Sequence, residues 1–376
     1  MTGPSKTEPW RVGVLFSKTG CLANIEYTQF MGTMVAIDEI NDTGGINGRE
    51  VVPVSYDPSS DNALYRDYSR QMLVEDGLST IFGCYTSSSR KAVLPIVERM
   101  NGLLWYPTLY EGFEFSPNVI YSGSAPNQNS VALADYLTEN FGPRVFFVGS
   151  DYVFPAESNR IMRHLLTARG SEIVGERYVP LRARRQDFLP VFNEIRRIRP
   201  DAIFSTVVGD ATTHFYRLYA DLGISPRDMP IFSLTTTETE VAAMGGDVAE
   251  NHFTAASYFQ ALQGEENADF LRRSRRMFGD DVTTNVCMEA AYYQVMLFRA
   301  ALELADTVDT DLLRPAILGV EIAAPQGTVG IHSHWGHSNL RPRIGRAMRN
   351  GQFEVLATAP SVVETDPFFV QFSQAM

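Results

Sequence analysis

Cysteine is scarce in this 376-residue chain: only Cys21, Cys84 and Cys287 occur, and no two form a C-x-x-C pair. Thiols so few and so scattered exclude a disulfide framework, and free thiols suit a reducing compartment. Long apolar runs are missing as well. The longest, such as VGVLF at 12–16, are strand-sized, far short of the ~20 residues a spanning helix needs. The opening MTGPSKTEPWRVGVLFSKTG holds no apolar stretch of signal-peptide length followed by a small-residue cleavage site. A cytoplasmic protein that does not enter a membrane is therefore expected. Basic residues are in deficit, with Lys+Arg 32 against Asp+Glu 44 and a formal charge of −12. A phosphate-facing surface needs a basic excess, so direct nucleic-acid binding is not expected. A partner that itself binds nucleic acid is still compatible with that charge.

Hydrophobic residues make up 44% and charged residues 20%, the balance of a globular protein with two or three domains or lobes. The dominant pattern is strand, loop, helix, repeated. Strands are expected at 12–16, 51–56, 79–83 and 103–106, with helices at 24–40, 63–74 and, after the stretch 84–89, to about 100. In the first helix Phe30, Met34, Ile37 and Ile40 recur at three- and four-residue spacing. The pattern resumes after Pro126, with strands at 145–149, 172–178, 202–207 and 231–234 and helices at 155–167, 188–198 and 211–222. Strands apolar on both faces, separated by amphipathic helices, make parallel sheets covered on both sides. Two such runs predict two doubly wound lobes. Helices at 269–278 and 286–304 and late strands at 328–331 and 343–356 then require a chain that crosses between lobes more than once. A hinge of that kind creates a cleft, with ligand groups just beyond the carboxyl ends of strands.

Five strand-ends carry candidate groups: Tyr85-Thr86-Ser87-Ser88-Ser89, Trp105-Tyr106-Pro107-Thr108, Ser150-Asp151-Tyr152, Ser205-Thr206-Val207-Val208-Gly209, and Thr235-Thr236-Thr237 with Glu238. They are mostly neutral hydroxyls and phenols, suited to a small, polar, uncharged molecule. Each Ser or Thr alone reads equally as a helix N-cap. Enzyme readings are weaker. Ser88-Ser89-Arg90-Lys91 matches S-x-x-K, but the companion boxes Ser116-Pro117-Asn118 and Lys18-Thr19-Gly20 stand in the wrong order. Cys84 ends an apolar strand, where a buried inert thiol is the common state. His332, His334 and His337 have metal-like spacing, but they lie in a polar loop without a companion carboxylate. No cofactor, metal or catalytic group is expected.

The segment GCYTSSSRKAVLPIVERMNGLLWYPTLYEGFEFSPNVIYSGSAPNQNS resembles the type I periplasmic-binding-protein superfamily, as do VFFVGSDYVFPAESNRIMRH, AIFSTVVG and SLTTTETEV. Within it, the sequence looks most like the cytoplasmic amide sensors that regulate aliphatic amidase operons. The urea- and short-chain-amide-binding proteins of ABC transporters are close relatives. The resemblance runs from about residue 12 to about 370.

It implies an α/β fold of two Rossmann-like lobes joined by three crossovers. The lobes are expected at 1–123 plus 258–326 and at 124–257 plus 327–376. It also implies site roles: Ser87 and the backbone at Tyr85 would hold an amide, Tyr106 and Tyr152 would wall the pocket, and Thr108 would limit ligand length. Thr206 and Thr235 would line the opposing lobe. Trp105, Leu109, Thr86 and Asp210-Ala211-Thr212 depart from the amide-sensor pattern and leave amide against urea preference open. The function implied is a cytoplasmic sensor of a short-chain amide or urea that acts on an antiterminator-like regulatory protein, with a homodimer left open. The rival is the binding protein of a urea, amide or branched-chain amino-acid ABC transporter. An amino-acid ligand needs a carboxylate for its α-amine, and Glu238 and Asp151 are the nearby candidates.

Overall fold

The computed structural model describes residues 8–369, so the outer ends of both expected lobes fall outside the described residues. The chain begins with β1 (Trp10–Leu15), α1 (Ala23–Asp42), β2 (Val51–Tyr56), α2 (Asn62–Arg70), β3 (Thr80–Gly83), α3 (Ser87–Arg99), β4 (Leu103–Tyr106) and β5 (Val119–Tyr121). These strands form one parallel sheet in the order β2-β1-β3-β4-β5. β3, β4 and β5 are buried at every residue, as a sheet with helices on both faces requires.

A second unit follows: α4 (Pro126–Asn140), β6 (Arg144–Ser150), α5 (Val153–Ala168), β7 (Glu172–Val179), α6 (Arg185–Ile198), β8 (Ala202–Thr206), α7 (Asp210–Asp221), β9 (Ile231–Ser233), α8 (Glu238–Met244), α9 (Gly246–Ala249) and β10 (Phe253–Ala256). The chain then makes α10 (Glu265–Phe278), α11 (Val286–Ala305), α12 (Thr310–Ile317), β11 (Glu321–Ala324), β12 (Gly327–Ile331), β13 (Ser338–Asn339), β14 (Arg343–Ala347) and β15 (Phe353–Thr358). The second sheet has the order β15-β14-β10-β9-β8-β6-β7. It is parallel from β7 to β10, and β14 and β15 add antiparallel strands at one edge. The fold is thus α/β with two parallel-sheet lobes, that of a type I periplasmic binding protein.

The chain leaves the first sheet after β5, returns to the first-lobe core after β10 and rejoins the second sheet at β14. α11 returns to the first lobe, where Phe298 and Leu302 share a core with Trp10, Val35 and Trp105. Val329, Ile331 and Leu340 belong to that same core. Residues 327–340 therefore pack with the first lobe, where the expected boundary at 326/327 put them with the second. The three antiparallel strands β11, β12 and β13 form a small sheet that needs an apolar backing, and the first-lobe core supplies it.

Two features hold the crossovers. Arg343 Nη2 donates to the carbonyl of Gln326 at 2.8 Å, and Ser122 Oγ donates to Gln294 Oε1 at 2.8 Å. Gly123 passes so close to the 108–109 peptide that a Cβ would lie 2.0 Å from the Thr108 carbonyl carbon. Only glycine lets the first crossover run there. The apolar pattern alone gives no strand at β5 or β10 and no helix at α4.

Candidate functional site

The first lobe presents its site on the turns after β3 and β4. Cys84 takes a left-handed φ of 70° at the end of β3, which turns the chain sharply towards α3. Thr86 caps α3, its Oγ1 accepting from the Ser89 N–H at 3.0 Å. Tyr85 and Ser87 face one cavity together with Tyr106 and Thr108 from the end of β4. The Tyr106 hydroxyl donates to the Tyr85 carbonyl at 2.7 Å and ties the two turns together. Thr108 Oγ1 accepts from Gln29 Nε2 of α1 at 2.8 Å.

The second lobe closes the cavity with Tyr152 and Phe154 from the start of α5, Val208 beyond β8 and Thr235 beyond β9. Leu109 completes the lining, and the space between these residues, including open solvent, is about 210 Å³. Thr235 Oγ1 donates to the Val207 carbonyl at 2.8 Å. Among the described residues the hydroxyls of Tyr85 and Tyr152 carry no hydrogen bond.

Of the residues expected at the site, Tyr85, Ser87, Tyr106, Thr108, Tyr152 and Thr235 are brought together. Thr206 is not. It is fully buried within β8, and its hydroxyl donates to Asn159 Oδ1 of α5 at 2.9 Å. It braces the strand beneath the pocket floor instead of lining the cavity. Leu109, Phe154 and Val208 complete the lining; Val208 belongs to an expected strand-end stretch and Leu109 to the departures from the amide-sensor pattern, whereas Phe154 is not among the expected residues, although it stands within a few residues of a strand end.

Behind Ser87 lies a buried ionic network that sequence spacing does not reveal. Ser87 Oγ donates to Glu111 Oε2 and accepts from Arg90 Nη1 at 3.2 Å. The fully buried Arg90 guanidinium also reaches Glu111 at 3.4 Å and Glu114 at 2.6 Å. It lies 4.7 Å from the centre of the Tyr106 ring and 4.9 Å from that of Tyr110. Lys91 Nζ adds a bond to Glu114 at 2.6 Å. Burial opposes ionisation of Glu114, but Arg90 and Lys91 prevail and hold its carboxyl at about 2.

The catalytic and metal readings find little support in this geometry. Burial pushes the Cys84 thiol well above its ordinary range, away from a reactive thiolate. Ser88 Oγ pairs with Thr86 Oγ1 at 2.9 Å while Lys91 is drawn to Glu114, so S-x-x-K is not assembled. His337 is stacked flat on Tyr121 at 4.2 Å, and its Nδ1 donates to the Trp335 carbonyl at 2.8 Å. His332 instead pairs with Glu364 at 2.9 Å. Among the described residues no group of three or more His, Cys, Asp or Glu could hold a metal ion, and no helix is long and apolar enough to cross a membrane. Neither Glu238 nor Asp151 lines the cavity. Glu238 accepts from the Gln260 N–H at 2.8 Å instead.

Known proteins share this architecture. A solute-binding protein of an ABC transporter from Rhodopseudomonas palustris BisB5, solved with 3,4-dihydroxybenzoic acid, superposes with a TM-score of 0.86. It is 20% identical and the match covers 95% of this chain and 98% of that one. The branched-chain amino-acid binding protein LivJ of Streptococcus pneumoniae, solved with isoleucine, gives 0.81 at 18% identity over 95% and 100%. By sequence, the Leu/Ile/Val-binding protein homolog 6 of Brucella suis biovar 1 is 24% identical over 298 residues, 77% of this chain and 76% of the relative. These relatives are named for binding and transport. A periplasmic family also weighs against the cytoplasmic location expected from the sequence. The family model described as the periplasmic binding protein domain matches residues 10–374, and the chain belongs to that family of ligand-binding proteins.

Proposed function

We propose that this protein is the solute-binding component of an ABC-type importer and takes a short, uncharged amide or urea between its lobes. The observation that carries the reading is the direction of the hydrogen bonds around the cavity. Ser87, Tyr106 and Thr235 each spend their hydroxyl proton inside the protein, on Glu111, the Tyr85 carbonyl and the Val207 carbonyl. Each then turns an oxygen lone pair to the ligand and accepts N–H. Thr108 already accepts from Gln29, so its proton is free for a carbonyl, and the Tyr85 and Tyr152 hydroxyls are uncommitted. A primary amide has both an NH₂ and a C=O to satisfy, and each one left unpaired in a closed cleft costs about 1–3 kcal/mol. No charged side chain lines the cavity, so an α-ammonium finds no counter-ion there.

A second reading keeps the same ligand but makes the protein an amide sensor that acts on a regulatory partner. The phrases around Gly83–Ser130 favour it through their resemblance to amide sensors. The transport reading has the named relatives on its side. Isothermal titration of the dialysed protein with acetamide, urea, leucine and 4-hydroxybenzoate tests the ligand class. Micromolar binding of acetamide or urea, recovered intact and without ammonia, is expected. Tight leucine or benzoate binding with no amide binding would overturn the proposal. Importer and sensor are then separated by whether the cells that carry the gene lose uptake of labelled ligand, or lose its induction of an amidase, when the gene is deleted.

A further inference from the structure

A second cavity adjoins the amide cavity at the hinge. Residues 122–124, where the chain leaves β5, and residues 255–257, at the end of β10, line it together with Val286, Cys287 and Ala290 of α11. The space between its lining residues, including open solvent, is about 340 Å³. Leu109 is the one residue that lines both cavities. It packs against two apolar clusters. One holds Tyr85, Phe154 and Val208 of the amide cavity, and the other holds Leu234 and Ala255 of the hinge cavity. Leu109 is thus the partition between the two spaces. A Cβ on Gly123 would lie 2.3 Å from the Leu109 nitrogen, so the backbone is held there and the leucine side chain is the part that can swing between rotamers.

The hinge cavity carries no charged side chain and is mostly apolar. Its polar end is made by Ser124, Asn129 and Ser257, which are 7%, 4% and 3% exposed. Ser124 Oγ, Asn129 Nδ2 and Ser257 Oγ bond to no described residue. Each keeps surface on the cavity, in contrast to Gln294 Nε2, which is sealed without a partner. Asn129 Oδ1 already accepts from Ser130 Oγ at 3.2 Å, so what Asn129 presents is its N–H donors. Three groups buried to this degree and unbonded at one spot call for an explanation. A donor set beside an apolar wall matches a hydrogen-bond acceptor carried on a short carbon chain. A purely apolar chain that displaced solvent there would leave Asn129 unpaired and lose by it.

We propose that the two cavities form one binding site gated by the Leu109 side chain, and that the ligand is a short amide whose far end carries a second carbonyl, seated against Ser124, Asn129 and Ser257. This rests on the amide reading and narrows it to a chemical class. The amide head takes the cavity of Ser87 and Thr108, the chain passes Leu109, and the far carbonyl accepts from Asn129 Nδ2. Ser124 follows β5 and Ser257 follows β10, the segments on which the chain leaves the first sheet and returns to the first lobe. A ligand that fills this end therefore ties the two connections together at the hinge, while its head is enclosed by the walls of both lobes.

The test titrates the full chain by calorimetry with acetamide, butanamide, malonamide and succinamide. Butanamide and succinamide share a four-carbon chain and differ in the far amide. The tighter of the two diamides should bind about tenfold more tightly than butanamide. Asn129→Leu keeps the size of the side chain and removes its donors, and should bring that ratio to about one. Ala290→Val fills the hinge cavity from α11 and leaves the polar groups in place. It should weaken the diamides relative to acetamide by about tenfold. Thermal unfolding identifies a variant that has merely failed to fold, and the wild-type ratio with the remaining variant then decides. Butanamide binding as tightly as either diamide, or a ratio that Asn129→Leu leaves unchanged, would overturn the joint site and assign the hinge cavity to ordered water only. Acetamide binding without binding of either diamide would do the same and leave the amide reading standing. No binding of any of the four would overturn the amide reading itself, and this inference with it.

Discussion

Two buried acid centres, one in each lobe, are held in opposite ways. In the first lobe Glu114 is paired with Arg90 and Lys91 and stays ionised, its carboxyl held at about 2. In the second lobe Glu238 and Glu240 on α8 are buried without a cation among their bonded partners, and burial raises them to about 8 and about 7. Their hydrogen bonds come from the Gln260 N–H and from Thr237. The same division runs through the pocket. The first-lobe wall is wired to a buried network through Ser87, Tyr106 and Thr108. The second-lobe wall offers Phe154, Val208, the Tyr152 hydroxyl with nothing yet attached, and Thr235, bonded only to the Val207 carbonyl and to Ser233. The first lobe is thus a pre-organised recognition surface and the second a closing face. A ligand that prefers the closed state gains from contacts to both.

The largest test of this contrast removes the charge at each centre. Arg90→Met leaves Glu111 and Glu114 buried without their main partner. Removing one member of a buried pair costs about 3–5 kcal/mol. Guanidinium chloride unfolding should show that loss as a lower midpoint at unchanged slope. Glu240→Gln is the second-lobe counterpart. The amide oxygen can still accept from the Thr237 N–H and keep the capping box, so the expected cost is below about 1 kcal/mol. Equal costs would erase the distinction between a paired and a neutral buried acid.

Next in size is the response to pH. Glu238 keeps in the folded state a proton that the unfolded chain has released. Its contribution to stability therefore falls as pH rises from its ordinary 4.5 towards about 8, and is constant above that. Glu114 runs the other way. Its contribution is complete above 4.5 and is lost as pH falls through about 2. Between pH 6 and 9 the wild-type protein should lose stability that Glu238→Gln retains, a difference on the order of 2 kcal/mol. Denaturant midpoints measured across that interval check it, and parallel curves for the two proteins would place an ionised Glu238 in the fold.

The contrast also explains what could be read from the chain. Strands such as 145–149 and 202–207 are apolar on both faces, and that alone signals a parallel sheet covered by helices. Once two such runs are recognised, strand-ends point to ligands. The strand-end stretches that hold Tyr85, Ser87, Tyr106, Thr108, Tyr152 and Thr235 were legible, and the family resemblance implied which of their members meet the ligand. Thr206 ends its strand as Tyr106 does, but its side chain turns to Asn159 within the lobe. The ionic network was not legible. Arg90 meets Glu111 and Glu114 over 21 and 24 residues of chain, a separation no helical or strand period encodes. Asn129 was hidden differently. An asparagine early in a helix reads as a local cap, and only packing shows that its amide nitrogen is unmatched.

A third comparison moves from stability to ligand affinity. Ser87→Ala removes an acceptor for the ligand's N–H and takes the Ser87 hydroxyl donor from Glu111. A loss of about 2 kcal/mol, about 30-fold in Kd, is expected. Titration with the tightest amide checks it. A loss confined to amides and absent for a hydroxyl-bearing analogue of the same size would locate the N–H acceptor at Ser87.

The smallest effect belongs to the closing face. Tyr152 is half-buried and its hydroxyl has no partner inside the described protein. Tyr152→Phe should therefore leave the unfolding midpoint unchanged, because no internal bond is broken and the ring still packs 6.2 Å from Phe154. It should weaken the ligand by about 1 kcal/mol, about fivefold in Kd, the worth of one neutral hydrogen bond. The loss should fall on dissociation, since Tyr152 meets the ligand only as the second lobe closes over a molecule already seated on the first. Stopped-flow measurement separates the two rates. A slower association with unchanged dissociation would mean that the ligand lands on the second lobe first, and the roles of the two walls would exchange.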